Sequence, residues 1–200
     1  MSRKDTRICF VGDSLVNGTG DPDCLGWAGR LCARARHAGH DVTYYNLGIR
    51  RDTSADIAAR WLDEVSARLP ERIDGRVVFA FGVNDTVLED GAMRVTTGAT
   101  LDNARAMLGA CRGRWPLLWI GPTPLLDDAH NLRIKVLSRH FAGLAAELDV
   151  PYLEVFDALR GLPAWTAELR AGDGAHPGAE GYAALAGLVA QWPTWRAWTA

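Results

Sequence analysis

Residues 7–15 read RICFVGDSL and contain the clearest indication of the fold class. Residues 8–11 are apolar without interruption, which is typical of a strand buried on both faces, because a strand with one solvated face alternates apolar and polar residues. Gly12, Asp13 and Ser14 follow at once, so small and polar residues lie where the strand ends. The stretch predicts an interior strand of a parallel sheet that ends in a polar turn.

The same pattern recurs along the chain. Apolar runs predict four further strands, at residues 42–47, 76–81, 116–120 and 152–155. Longer segments between and after them predict helices, at residues 25–38, 54–69, 100–112, 130–148 and 177–191. Repeated strand–helix units build an α/β fold, here a three-layer α/β/α sandwich around a doubly wound parallel sheet of about five strands.

The length and composition are those of an ordinary globular protein. No repeat, low-complexity tract or linker interrupts the 200 residues, so we predict a single domain over residues 1–200. Hydrophobic residues make up 48% and charged residues 23% of the chain, with a net charge of −2. This balance lacks the basic footprint of a nucleic-acid-binding protein, and we expect no nucleic-acid partner.

No targeting segment is recognisable. The N-terminal apolar run at 8–11 is shorter than the roughly 7–15 residues of a signal peptide, and no run approaches the roughly 18 residues of a membrane span. Four cysteines form no C-x-x-C pair, which favours free thiols in a reducing compartment: Cys9, Cys24, Cys32 and Cys111. We predict a cytoplasmic protein without a membrane span, and the earlier removal of a leader stays open.

Small and polar residues follow four of the predicted strands. After the first strand these are Gly12, Asp13 and Ser14; after the later ones they are Gly48, residues 82–85 (GVND) and residues 121–124 (GPTP). Ligands of open α/β sheets bind beyond the carboxyl ends of the strands. The sequence therefore predicts a site at this edge.

Ser14 becomes a nucleophile only if a base accepts its hydroxyl proton. Among the five histidines, His176 stands apart because Asp173 lies three residues before it, with Gly174 between them. A short turn there lets the carboxylate hold Nδ1–H of the imidazole and leaves Nε2 free to face Ser14, which is the logic of a catalytic triad. In the alternative interpretation, Ser14 and Asp173 only cap helices.

Acyl transfer also needs donors for the negative charge that develops on the tetrahedral intermediate. Gly48 can offer a backbone N–H without a side chain in the way. Asn84 can offer its side-chain amide, and Ser14 its own N–H. In the alternative interpretation, Gly48 is a turn glycine and Asn84 belongs to an Asx turn.

Four sequence blocks resemble those of the SGNH/GDSL hydrolase superfamily, which includes GDSL-like lipases and esterases. The blocks are Gly12-Asp13-Ser14-Leu15, Asn46-Leu47-Gly48, Gly82-Val83-Asn84-Asp85 and Asp173-Gly174-Ala175-His176-Pro177. They span residues 12–177 in the order of the family. GDSL alone is a weak match, whereas four blocks at successive strand ends make a specific one.

The resemblance implies a flavodoxin-like fold and a reaction that uses no metal and no organic cofactor. It implies Ser14 as nucleophile, His176 as base and Asp173 as the partner of the base. It also implies an oxyanion hole formed by Ser14, Gly48 and Asn84. Activities of the family include carboxylesterase, arylesterase, thioesterase, lysophospholipase and carbohydrate deacetylase.

Four charged residues near these blocks have open roles. Many relatives carry a second glycine three residues after the glycine of the second block, and this chain has Arg51 there. Arg50 and Arg51 either carry solvated charge or line the mouth of the pocket and favour anionic acyl or leaving groups. Asp13 and Asp85 are expected to hydrogen-bond loop backbone and support the site, not to act as catalytic carboxylates.

These observations predict a serine esterase that hydrolyses carboxylic esters of small to medium acyl chains through an acyl-enzyme intermediate. Its predicted partner is a small-molecule ester. An acyl-thioesterase or lysophospholipase and a carbohydrate O-deacetylase use the same triad and are alternatives, and a non-enzymatic α/β binding module is a third. The oligomeric state stays open, because the C-terminal tryptophans either pack on the body or form a surface for a homo-oligomer: Trp192, Trp195 and Trp198.

Overall fold

The computed structural model describes residues 5–199. The strands in this range are β1 (Thr6–Gly12), β2 (Val42–Gly48), β3 (Asp74–Ala80), β4 (Leu88–Glu89), β5 (Ala92–Met93), β6 (Leu117–Ile120) and β7 (Tyr152–Leu153). Five of them form one parallel sheet in the order β2-β1-β3-β6-β7. β4 and β5 pair separately as a short antiparallel hairpin. The predicted α/β fold with a five-stranded parallel sheet is confirmed.

Helices connect and cover these strands. The helices in the described range are α1 (Ser14–Asn17), α2 (Gly26–His37), α3 (Ser54–Arg68), α4 (Thr97–Arg112), α5 (Asp128–Glu147), α6 (Phe156–Arg160), α7 (Pro163–Ala171), α8 (Ala179–Gln191) and α9 (Pro193–Trp198). A single 3₁₀ turn, Asn84–Thr86, follows β3.

The sheet is buried on both faces, as the uninterrupted apolar run in β1 predicts. Phe10 lies in one apolar cluster, edge-on to Trp27 of α2 at a ring distance of 5.4 Å. Its neighbour Val11 points the other way, into a second cluster that contains Trp61 of α3. Burial of each large apolar side chain stabilises the fold by about 1.5–3 kcal/mol. Two covered faces make the three layers of the sandwich.

Several short elements were not predicted from the sequence pattern. α1 begins at Ser14 itself, and β4 and β5 lie between the predicted strand at 76–81 and the predicted helix at 100–112, where no element was predicted. The segment 156–171, for which no element was predicted, forms α6 and α7. α8 begins at Ala179, so Pro177 precedes this helix and does not occupy its first turn.

The C-terminal tail packs on the body through α9. Trp195 is 3% exposed and its ring lies 6.3 Å from that of Phe10. Tail packing was the first of the two interpretations of the C-terminal tryptophans.

Three further predictions concern the chain as a whole. All four cysteines are free thiols, as expected. No helix between residues 5 and 199 is long and apolar enough to cross a membrane. The single domain was predicted over residues 1–200, of which 1–4 and 200 lie outside the described residues, and it stays a prediction.

Candidate active site

Ser14 lies where β1 ends and α1 begins. Asp13 caps this short helix, because its Oδ1 accepts a hydrogen bond of 2.9 Å from the backbone N–H of Leu15. The abrupt change from strand to helix places Ser14 at the carboxyl edge of the sheet, where it is 6% exposed. Its backbone N–H has no acceptor among residues 5–199.

The segment from Asp173 to His176 forms a tight turn before α8. Oδ1 of Asp173 accepts the backbone N–H groups of Ala175 and His176, each at 2.9 Å. Its Oδ2 lies 2.7 Å from Nδ1 of His176. Gly174 has φ +80, a left-handed conformation that glycine adopts without strain. The turn thus holds carboxylate and imidazole together through contacts within four residues.

The charge on Asp173 determines which ring nitrogen carries the proton. Burial alone would raise the pKa of Asp173, but hydrogen bonds from the His176 ring and from the backbone N–H groups outweigh burial and lower the pKa to about 2. The carboxylate is therefore ionised at neutral pH, and Nδ1–H donates to it. Nε2 is left as an acceptor, 2.8 Å from Oγ of Ser14. Hydroxyl, imidazole and carboxylate form one hydrogen-bonded chain.

Gly48 lies at the end of β2, packed against α1. A Cβ at this position would lie 2.2 Å from the backbone nitrogen of Asn17, so the close approach of the two segments requires glycine. The N–H of Gly48 donates to Oδ1 of Asn46 at 2.9 Å. Gly48 is also not among the described residues that line the cavity beside Ser14. The geometry favours a packing role for Gly48 over the oxyanion role expected from the sequence.

The loop after β2 leaves a different N–H free. Arg51 has φ +70, a left-handed conformation that costs a residue other than glycine about 1–2 kcal/mol. Its backbone N–H has no acceptor among residues 5–199, and Arg51 lines the cavity that contains Ser14 and His176. This N–H was missed by the sequence reasoning. The signal was present, because Arg51 stands where many relatives carry glycine.

Asn84 begins the 3₁₀ turn after β3 and lines the same cavity. One hydrogen of its Nδ2 is donated to the backbone oxygen of Asp52 at 2.9 Å. The other has no acceptor in the described part of the chain. Thr86 of the turn and His130 of α5 hold this segment. The Thr86 hydroxyl donates to the backbone oxygen of Val83 at 2.9 Å. Because its one hydrogen is used there, the hydroxyl accepts from Nε2 of His130 at 2.9 Å.

His130 was not singled out from the sequence, since nothing in its local pattern places it near a strand end. It is 8% exposed and lines the cavity. Burial is the largest of the effects that lower its pKa, followed by the charge of Arg133. A neutral imidazole suits its role as a donor to Thr86.

Asp85 ties two helices to the turn that carries Asn84. Its Oδ2 accepts the backbone N–H of Ser54 at 2.9 Å, and its Oδ1 accepts the hydroxyls of Ser54 and, at 2.8 Å, of Thr100. Burial raises the pKa of Asp85 in spite of these hydrogen bonds. The first turns of α3 and α4 are thereby tied to the turn that carries Asn84.

Asp13 is the more isolated carboxyl. Its Oδ2 is buried without a hydrogen-bond partner among residues 5–199. Burial, with smaller contributions from the carboxyls of Asp85 and Asp52, raises the pKa of Asp13 to about 7, although the N–H of Leu15 opposes this rise.

A cavity of about 250 Å³ opens beside Ser14. Its wall combines polar groups with short apolar side chains: Arg50, Arg51, Val83, Asn84, Val87, Leu125, His130, Ala175 and His176. Leu125 lines the cavity, whereas the nearby apolar residues Leu88, Met93 and Leu126 are not among the described residues of its wall. Within residues 5–199 no group of three or more His, Cys, Asp or Glu side chains is placed to hold a metal ion.

The two arginines at the mouth of this cavity differ in their contacts. The Arg51 side chain is 80% exposed, and its Nη2 lies 3.5 Å from Oε1 of Glu89. The guanidinium of Arg50 has no hydrogen-bond or ion-pair partner in the described range.

Proteins of known structure share this fold. The lipase/acylhydrolase from Enterococcus faecalis is 24% identical, with a TM-score of 0.74 over 93% of this chain and 94% of that one. Axe2, an acetylxylan esterase from Geobacillus stearothermophilus, is 19% identical, with a TM-score of 0.75 over 94% of each chain. A member of the lipolytic protein G-D-S-L family from Veillonella parvula is 17% identical, with a TM-score of 0.75 over 94% of this chain and 98% of that one. At these identities the likeness establishes the fold.

The family follows from the sequence match. None of the curated proteins matches the chain. The GDSL-like lipase/acylhydrolase family matches residues 10–184, a segment that begins within β1 and ends within α8. The match covers most of the chain and includes Ser14, Asn84, Asp173 and His176. The chain therefore belongs to the GDSL-like lipase/acylhydrolase family and is an esterase or acylhydrolase of that family.

Proposed function

We propose that this chain is a serine esterase that hydrolyses carboxylic esters of small to medium acyl chains through an acyl-enzyme intermediate. One observation carries the proposal: Nε2 of His176 lies 2.8 Å from Oγ of Ser14, while Nδ1 lies 2.7 Å from Oδ2 of Asp173. A nucleophile, a base and an orienting carboxylate in this order are the groups that acyl transfer requires.

In the first half of the proposed reaction, His176 acts as the general base. Its Nε2 accepts the hydroxyl proton of Ser14 as Oγ attacks the ester carbonyl carbon. The ionised Asp173 stabilises the imidazolium that forms. Nε2 then gives the proton to the oxygen of the leaving alcohol, the carbon–oxygen bond of the ester breaks, and Ser14 carries the acyl group.

In the second half, water takes the place of the alcohol. His176 accepts a proton from this water as its oxygen attacks the acyl carbon, and Nε2 then returns the proton to Oγ of Ser14. The acid leaves and the free hydroxyl is restored. The same imidazole thus serves as base and acid in each half, which requires that it be neutral when each half begins.

Three N–H donors are proposed for the oxyanion of both tetrahedral intermediates. They are the backbone N–H groups of Ser14 and Arg51 and the second hydrogen of Asn84 Nδ2. What supports this set is that none of the three has an acceptor among residues 5–199 and that all three residues line the cavity. Gly48 is left out because its N–H already donates to Asn46. Loss of one such donor costs about 10²–10³ in turnover.

The cavity supports a short acyl group. A volume of about 250 Å³ falls just below the range of roughly 300–1,000 Å³ for sites that enclose a drug-sized ligand. The apolar part of its wall comes from short side chains such as Val83, Val87 and Leu125. Acetyl to butyryl groups fit such a wall better than fatty acyl chains.

A carbohydrate O-deacetylase is the second candidate. Polar side chains of Arg50, Asn84 and His130 share the cavity with Ser14, and polar groups of this kind suit the hydroxyls of a sugar. The similar structure of Axe2, an acetylxylan esterase, gives this candidate further support. It keeps every catalytic assignment and changes only the alcohol that leaves.

The proposed function is tested with p-nitrophenyl esters from acetate to palmitate and with an acetylated xylo-oligosaccharide. Wild type is expected to turn over the short esters fastest, and Ser14→Ala to lose the activity while keeping its unfolding midpoint. Faster release of acetate from the oligosaccharide than from p-nitrophenyl acetate identifies the second candidate. Full activity in Ser14→Ala contradicts both.

We also propose a cytoplasmic location. The free state of all four cysteines supports it, because reducing compartments keep thiols unpaired. Fractionation of the source cells tests it: esterase activity is expected in the cytoplasmic fraction, and activity confined to the medium contradicts it.

A further inference from the structure

We propose that the β4–β5 hairpin is a clamp on the loop after β2, and that Arg94 is the positioning residue through which it keeps the Arg51 N–H turned to the cavity. The inference rests on the proposed function, in which that N–H stabilises the oxyanion. Arg94 does not line the cavity, so its effect is exerted through Arg51.

Arg51 needs an external restraint. Its φ of +70 brings Cβ close to the backbone, which makes this conformation unfavourable for arginine, whereas glycine adopts it without strain. Strained backbone persists only where surrounding contacts over-determine it. Without such contacts the loop relaxes to negative φ and rotates the peptide that carries the N–H.

Arg94 and Glu89 supply these contacts. Nη1 of Arg94 donates to the backbone oxygen of Arg51 at 2.8 Å. Oε1 of Glu89 lies 3.4 Å from Nε of Arg94 and 3.5 Å from Nη2 of Arg51. The Arg94 side chain is 18% exposed, so water competes for it far less than for the Arg51 side chain. Two arginines and one carboxylate thus fix the peptide that follows Arg51.

The hairpin that carries Glu89 is held in place by its turn and by two backbone hydrogen bonds. Asp90 and Gly91 link its strands with φ +52 and +81, the two left-handed residues of a tight hairpin turn. The backbone N–H of Arg94 donates to the oxygen of Val87 at 2.9 Å, and that of Val95 donates to the oxygen of Asp85 at 3.2 Å. The second bond anchors the hairpin directly to the turn that carries Asn84.

The far side of the loop is held independently. The backbone oxygen of Asp52 accepts from Nδ2 of Asn84 at 2.9 Å, and its carboxylate accepts from Nε of Arg60 at 2.7 Å. Asn84 and Arg60 therefore hold Asp52, the residue after Arg51, while Arg94 binds the backbone oxygen of Arg51 itself. Contacts from other segments thus hold Arg51 in a backbone conformation that glycine would adopt without strain.

A double-mutant cycle tests the clamp. Arg94→Ala is expected to lower kcat for p-nitrophenyl acetate by about 10–100-fold, which is less than the loss of about 10²–10³ expected when an oxyanion donor is removed completely. KM should change by less than about threefold. In an Arg51→Gly background, glycine holds the positive φ without strain, so Arg94→Ala should lower kcat by less than about threefold relative to that background. The quantity compared is the fold loss of kcat that Arg94→Ala causes in the wild-type and in the Arg51→Gly background.

Two further variants serve as controls for this test. Arg105→Ala is the matched control, because it removes an arginine that pairs with Glu147 at 2.6 Å on the helices α4 and α5, and it should leave kcat unchanged. Arg94→Lys can still donate to the Arg51 oxygen but has one nitrogen in place of the two that Arg94 uses for Arg51 and Glu89, and should lose less activity than Arg94→Ala. Unfolding midpoints show whether each variant is folded, and Arg94→Lys carries the test if Arg94→Ala is not.

Two outcomes overturn the clamp. Equal losses of kcat in both backgrounds show that Arg94 does not act through the backbone of Arg51. Wild-type kcat in Arg94→Ala shows that no positioning is needed. Failure of the proposed function gives a different result, since Ser14→Ala would then keep the activity whatever residue stands at 94.

Discussion

The two sides of the site are built in opposite ways. The turn from Asp173 to His176 obtains its geometry from itself: one carboxylate accepts two backbone N–H groups and holds the imidazole, all within four residues. The loop from Ile49 to Asp52 has one internal hydrogen bond, from the Asp52 N–H to the Ile49 oxygen at 3.3 Å, and is otherwise held by Asn84, Arg60 and Arg94 from other segments. The proposed acid–base side is thus held mainly by local contacts, and the proposed oxyanion side mainly by contacts between distant segments.

This difference explains which parts of the site can be changed safely. A local turn survives changes elsewhere in the fold, so substitutions in it should affect chemistry and leave stability almost unchanged. A loop held by distant side chains responds to substitutions that never touch the substrate. We expect substitutions in the turn and substitutions around the loop to differ in this way.

The largest effect is expected for Asp173→Asn on the locally encoded side. An amide cannot hold Nδ1–H as the ionised carboxylate does, so kcat should fall by about 10³–10⁴. The melting temperature should change little, because the Asp173 side chain is 55% exposed. Steady-state kinetics and thermal unfolding measure the two.

Asp157→Asn is the control for Asp173→Asn. It removes an exposed carboxylate that pairs with Lys135 at 2.7 Å and should leave kcat at the wild-type value. A loss of less than tenfold in Asp173→Asn would mean that this turn does not orient the base.

Asn84→Ala should have the next largest effect, on the side held by tertiary contacts. It removes a proposed donor and the hydrogen bond to the Asp52 oxygen, so kcat should fall by about 10²–10³. Asn103→Ala removes an amide that donates to Ser54 at 3.0 Å, outside the cavity, and is the matched control. Similar losses in the two variants would assign the effect to general loosening of the fold.

The pH dependence of stability should single out Asp13. Because its pKa is raised to about 7, the folded state binds this proton more tightly than the unfolded state, and the contribution of Asp13 to wild-type stability falls as pH rises from about 4 to 7. Asp13→Asn lacks this titration. The unfolding free energy of Asp13→Asn minus that of wild type should therefore increase by on the order of 3 kcal/mol across this window. Urea unfolding at several pH values measures it, and parallel curves would contradict it.

The smallest effect is expected for Arg50→Ala. Its guanidinium lies at the cavity without a partner within residues 5–199. An exposed ion pair contributes about 0.2–1 kcal/mol, so kcat/KM for an ester with a carboxylate in the acyl group should fall by about two- to fivefold relative to a neutral ester of the same length. Arg112→Ala, whose side chain pairs with Asp149 at 3.2 Å at the end of α4, is the control. An unchanged preference would leave Arg50 as solvated charge.

Much of the fold was predictable because its signals are local. The uninterrupted apolar runs within β1, β3 and β6 follow from burial on two faces. The start of the helix predicted at 54–69 also has a local cause, since Thr53 forms a capping box with Asp56 at the start of α3. Elements of two to five residues such as β4, β5 and α6 are too short to show a period, although Asp90-Gly91 is a hairpin signal that was not used.

The limits on predicting the site have the same origin. Asp173 and His176 were linked from sequence because their geometry needs only a short turn. The donor in the second block was expected at Gly48, since glycine is the residue that most readily exposes its N–H. Sequence alone does not show that Gly48 is required by the approach of Asn17, or that Arg94 restrains Arg51. Both facts depend on contacts between distant segments.

The most direct test of this account is a crystal structure of the enzyme after reaction with a p-nitrophenyl alkylphosphonate, which leaves a tetrahedral phosphorus on the nucleophile. We expect phosphorus bonded to Oγ of Ser14 and its free oxygen within about 3 Å of the backbone nitrogens of Ser14 and Arg51 and of Nδ2 of Asn84. An adduct on another residue, or an oxygen that faces Gly48 and not Arg51, would contradict it.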